Sequence, residues 1–104
     1  MDRKRAGERL LEAEVKEFEK ACRMLGLEPE RLLSLSALLV TYNGRKLWGQ
    51  ELVLDPGTGK KRRKSYHLKT LTPIERYVAQ GLIRCWRRIK ALKWYLENLD
   101  VNEH

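Results

Sequence analysis

The residues best placed to do chemistry in this chain are five consecutive cations, Lys60-Lys61-Arg62-Arg63-Lys64, directly after the turn-forming run Asp55-Pro56-Gly57-Thr58-Gly59. Side by side these charges repel one another, and Asp55 is the one acid close to them in sequence. A phosphate backbone relieves that repulsion, because it supplies anions at short intervals and gives up its own counterions on contact. Contacts from about four to six such cations give a slope of log affinity against log salt of about −4 to −5. Arg45, Lys46 and Lys69 carry further charge in the same region and extend the expected patch. A second basic set, Arg84, Arg87 and Arg88 with Lys90 and Lys93, is interleaved with Trp86 and Trp94 on one outer side of a helix. Arg and Trp in that pattern suit sugar-phosphate contact with base stacking, a subunit interface, or packing of both tryptophans on the first two helices under the arginine stems, and packing or an interface is favoured over bases.

The charge is uneven along the chain. Residues 1–30 hold seven Lys/Arg against eight Asp/Glu, a balance of −1; residues 31–71 hold nine against two, or +7; residues 72–104 hold six against four, or +2. The net charge of +8 and a pI near 9.8 thus come mostly from the middle third, and they favour nucleic acid as partner. Other chemistries find little support. Pro56-Gly57-Thr58-Gly59-Lys60 imitates the core of a phosphate-binding loop, but Leu54 stands where the first Gly is required and Lys61 where Ser or Thr must bind magnesium. His67 is isolated, Ser34, Ser36 and Ser65 have no neighbouring base, and Glu51 with Asp55 lacks a third metal ligand. Cys22 and Cys85 have no zinc spacing with His67 or His104 and read as buried thiols. The expectation is a protein that is not an enzyme and uses neither cofactor nor metal.

Elements that position these residues follow from periodicity. With 104 residues the chain is read as one domain. Residues 1–8 form a basic lead-in, weakened by Gly7 and by cations at a helix start. Leu11, Val15, Phe18, Cys22 and Leu25 mark a helix over 9–26, closed by Gly26 with Leu27 as the apolar contact beyond it. Pro29 starts a second, very apolar helix over 29–39. A short strand at 40–42 and the Asn43-Gly44 turn lead into the basic hairpin region 40–71, with a bulge expected at Gly49. Thr72-Pro73-Ile74-Glu75 is a capping box that opens a long helix over 73–99. Its apolar stripe, Val78, Leu82, Cys85, Ile89, Leu92, Leu96 and Leu99, exceeds what so small a core needs. Leu92, Leu96, Leu99 and Trp94 are therefore expected to join two copies. Gly81 in mid-helix suggests the close approach of a neighbour.

The fold class is α+β: two N-terminal helices, a small antiparallel hairpin or three-stranded sheet, and a long C-terminal helix. In layout this loosely resembles a winged-helix DNA-binding domain, through the first two helices with their Leu25-Gly26-Leu27 turn, the basic hairpin at 52–68 and the terminal helix. No family-specific motif accompanies the layout, and the helix at 29–39 is too apolar to lie in a groove. The resemblance implies a dimeric DNA-binding protein, such as a transcriptional regulator, that holds phosphates through the hairpin. A second reading is single-stranded nucleic acid or RNA, stacked on Tyr66, Trp48 and Trp94. A third is an adaptor whose basic loop docks on an acidic protein. No stretch has the length of a membrane span, and a cytoplasmic location is expected.

Overall fold

A computed structural model describes residues 2–41 and 43–102. The elements run α1 (Arg3–Leu25), α2 (Pro29–Leu33), β1 (Ala37–Val40), β2 (Lys46–Leu54), β3 (Lys61–Thr70) and α3 (Pro73–Asn102). The strands form one antiparallel meander in the order β1-β2-β3, so the protein is α+β with helices at both ends of the chain.

Helix α1 begins at Arg3 rather than Arg9, so the expected basic lead-in is helical. Asp2 caps it, its carboxylate accepting the Lys4 amide at 3.0 Å. Gly7 does not break the helix because tertiary packing uses it: a Cβ there would lie 2.8 Å from Leu96 Cδ2. At the other end Gly26 turns left-handed at φ 69°, and the Leu27 amide closes on the Cys22 carbonyl at 2.9 Å. Cys22 is fully buried, and burial pushes its thiol up to about 11.

Helix α2 ends at Leu33, well short of the expected Leu39. Ser34 donates its hydroxyl to the Arg31 carbonyl at 2.7 Å, and Ser36 donates its amide to the Gln50 carbonyl at 2.8 Å. Local serine bonds of this kind compete with the helical ladder, and pairing with β2 then claims the backbone. Of the leucines in that stretch, Leu38 and Leu39 are used as strand residues instead, with Leu38 buried and Leu39 outward. The strand expected at 40–42 is displaced to 37–40, and Tyr42 lies outside the described residues. Asn43-Gly44 makes the turn, with Gly44 at φ 70°.

Between β2 and β3, Leu47 pairs with Lys69 but Trp48 pairs with His67. The extra residue is Leu68, so the bulge lies in β3 and not at Gly49. Gly49 is needed for space: its position leaves no room for a Cβ beside Leu35 Cδ1.

Helices α1 and α3 run antiparallel, Gly7 facing Leu96 at one end and Glu14 reaching Arg88 further along. They cover one face of the sheet. Phe18, Cys22 and Leu25 of α1 pack with Leu32, Leu38 and Leu47 against Leu82, Trp86 and Ile89 of α3. The capping box of α3 is present in both directions: Thr72 amide to Glu75 Oε1 at 3.1 Å, Glu75 amide to Thr72 Oγ1 at 3.3 Å. Trp86, placed off the apolar stripe, packs inward as the packing reading expects: it is buried and donates to the Leu32 carbonyl of α2 at 2.8 Å. Gly81 has nothing within 4 Å of its would-be Cβ, so no neighbour approaches it. The radius of gyration is 15.9 Å, larger than the ~13 Å of a compact chain this long, because the hairpin and the helix pair extend away from the core.

Candidate nucleic-acid interface

Four of the five consecutive cations lie within β3 rather than in a loop. Lys61 stands opposite Leu54, Arg62 opposite Val53, Arg63 opposite Leu52 and Lys64 opposite Glu51. The turn that delivers them is built by its own side chains. The Asp55 carboxylate accepts the Gly57 amide at 2.9 Å, Thr58 Oγ1 accepts the Lys60 amide at 3.3 Å, and Gly59 supplies φ 71°. The run Pro56 to Lys60 thus reverses a hairpin and leads into a strand.

Alternation along the strands divides the charge between two faces. Leu47 and Gly49 point into the core, so Glu51 and Val53, with Arg62 and Lys64 across from them, share that side. Lys61 and Arg63 share the opposite face with Leu52 and Leu54. All five cations are exposed, and among the described residues none lies within ion-pair distance of a carboxylate. The acids that could have neutralised them are engaged elsewhere: Glu12 with Lys16 at 3.9 Å, Glu14 with Arg88 at 3.4 Å, Glu75 with Lys69 at 3.0 Å. Glu51, the nearest acid on β2, accepts the Tyr66 hydroxyl at 2.6 Å. Lys64 lies 5.2 Å from the Tyr66 ring centre and Arg31 of α2 lies 5.8 Å from it, so that ring is flanked by cations.

Other residues expected in the patch are placed differently. Arg45 and Lys46 stand at the start of β2, and eight steps of about 3.4 Å put them roughly 27 Å from Leu54, at the far end of the sheet. They do not extend the cluster at 60–64; Arg45 borders a shallow groove with Gly44, Thr72 and Arg76. Lys69 is at that same end and is neutralised by Glu75. The Thr72 amide, with Lys69 beside it, holds the Glu75 carboxyl below its ordinary value. On α3, Arg84 and Arg87 are exposed, whereas Arg88 bonds Glu14. Lys90 is a structural cation: its ammonium donates to the Leu33 carbonyl at 2.5 Å and sits 5.4 Å from the Trp86 ring. Burial there, and then Lys93, lowers its pKa.

Of the residues expected to join two copies, Leu92, Leu96 and Leu99 are half-buried within the chain, and Leu96 rests on Gly7 of α1. Trp94 alone of that set is exposed, at 65%. The stacking residues also separate. Tyr66 is on the core side and bonded to Glu51, while Trp48 meets the His67 ring edge-on at 5.1 Å.

No family model, curated protein or solved structure matches the chain. The geometry therefore stands without a relative to interpret it. Among the described residues no helix is long and apolar enough to cross a membrane, and no group of His, Cys, Asp and Glu is arranged to hold a metal. Sequence reasoning passed over Gln50 and Ser65, which lie side by side on the sheet with a 3.3 Å bond. Their signal was the strand register that follows from the turn, with Leu54 opposite Lys61.

Proposed function

We propose that this is a DNA-binding protein that holds duplex DNA through the β2–β3 ribbon, in the manner of a regulator whose first contact is with phosphate. One observation carries the reading: Lys60 at the turn and Lys61, Arg62, Arg63 and Lys64, split two and two between the faces of a two-stranded ribbon, are exposed and, among the described residues, form no ion pair. Such a ribbon fits the major groove of B-form DNA, and cations of its turn and strands then lie within reach of flanking phosphates. Arg84 and Arg87 add a second basic surface on α3 for flanking phosphates. Trp94 is the residue through which a second copy would associate. A cytoplasmic setting suits two free thiols and this partner.

The test is a salt series of binding to duplex DNA, read by fluorescence anisotropy. The expected slope of log affinity against log salt is about −4 to −5. Replacing Lys60, Lys61, Arg62, Arg63 and Lys64 together by Gln should bring the slope close to zero and remove binding at physiological salt. Unchanged affinity in that variant would overturn the proposal.

A further inference from the structure

The β-sheet has a second face that none of the described elements covers. Helices α1, α2 and α3 all pack on the side of Leu38 and Leu47. On the opposite side the register sets Gln50 across from Ser65, Leu52 across from Arg63, and Leu54 across from Lys61. Leu52 and Leu54 are 56% and 60% exposed. No carboxylate shares this row, because Glu51 points to the other face and bonds Tyr66, while Asp55 is bonded within the turn. The surface is thus apolar and cationic together, with hydrogen-bonding groups at its centre.

We infer that this open face reads base edges in the major groove, with Gln50, Arg63 and Ser65 as the specificity-determining residues. The inference rests on the duplex reading above and adds sequence preference to it. Residue chemistry supports the assignment. A Gln amide matches the paired donor and acceptor of adenine, a guanidinium matches the two acceptors of guanine, and a Ser hydroxyl accepts or donates. Leu52 and Leu54 provide apolar surface for thymine methyl groups, an apolar contact of the kind made there by other side chains. Ser65 accepts from the Gln50 amide nitrogen at 3.3 Å, which ties the two side chains together at the centre of the face. Unstacked bases are the less suitable ligand for this face. They need free aromatic planes, and here Tyr66 lies on the covered side while Trp48 is held edge-on against His67.

Selection from duplexes with a randomised centre, at fixed salt, tests the inference with the intact protein. An enriched motif is expected. Gln50→Ala and Arg63→Ala should each lower discrimination at one base pair of that motif by about fivefold to a hundredfold. Gln50→Ala should leave the salt slope unaltered, while Lys60→Gln weakens all sequences alike and reduces the slope by about 1. Circular dichroism and melting temperature confirm that each surface variant keeps its sheet. The inference is overturned by salt-dependent duplex binding without a motif, by a motif that survives both alanine variants, or by preference for single strands with tryptophan quenching. Absence of binding to any nucleic acid at low salt would instead sink the duplex reading together with this one.

Discussion

Two glycines show how a single residue type serves opposite needs. Gly49 is a spacer, since Leu35 and Leu68 occupy the volume that a side chain would take, and Leu35 is itself buried and unable to withdraw. Gly81 is in the middle of α3 with open space around it and contributes nothing but backbone freedom. Gly81→Ala should therefore stabilise the fold by up to about 1 kcal/mol, seen as a rise of roughly 4–8 °C in Tm for a chain of this size. Gly49→Ala should do the reverse and cost about 1–3 kcal/mol by overpacking. Denaturant unfolding of the two variants beside the parent checks both signs. A loss of stability in Gly81→Ala would show that α3 has a neighbour at this point. The same logic holds for the cations: Lys69, Arg88 and Lys90 look identical to Lys61 or Arg87 as letters. The first three are occupied by Glu75, Glu14 and the Leu33 carbonyl, whereas Lys61 and Arg87 have no such ion pair among the described residues.

At the level of elements, what could be read in advance were the signals carried within a few residues. The cap of α3 is one, and it has a measurable consequence. Glu75 is held below its ordinary pKa first by the Thr72 amide and then by Lys69. A carboxylate with a depressed folded pKa stabilises above its unfolded value, and that contribution is lost as pH falls through the folded value. Thr72→Ala removes the hydroxyl half of the box and should cost about 1 kcal/mol at neutral pH. Because Glu75 then loses a partner fixed in place, the variant's stability should also fall less steeply with acid. Parallel melting curves through the carboxylate range decide this; identical acid slopes would mean that the backbone amide of residue 72 and Lys69 hold Glu75 without the hydroxyl. Gly26 and the Asn43-Gly44 turn were equally legible, each needing a left-handed residue at one position. Illegible were the features decided across the sheet. Ser36 bonds Gln50, fourteen residues away, and this pairing turned the last three residues of the expected second helix into β1. The bulge at Leu68 shifts how Lys46 and Leu47 pair with Thr70 and Lys69, and nothing local marks it.

For the whole molecule, the outcome turns on how the long helix is spent. An amphipathic helix of 30 residues reaches about 45 Å, more than a small core requires, and from sequence the surplus reads as a surface for a second copy. The fold uses it differently, because α1 is 23 residues long and runs back along α3, meeting Leu96 at Gly7. Packing within the chain therefore claims the stripe that association was expected to use. Leu96 and Trp94 separate the two roles, one half-buried against α1 and the other 65% exposed. Leu96→Ala should lower folding stability by about 2 kcal/mol, at the lower end for a leucine because the site is half-buried. The mass measured by light scattering should not change in this variant. Should the mass change while the stability holds, Leu96 would belong to an interface between copies, and the antiparallel pairing of α1 with α3 would no longer account for its burial.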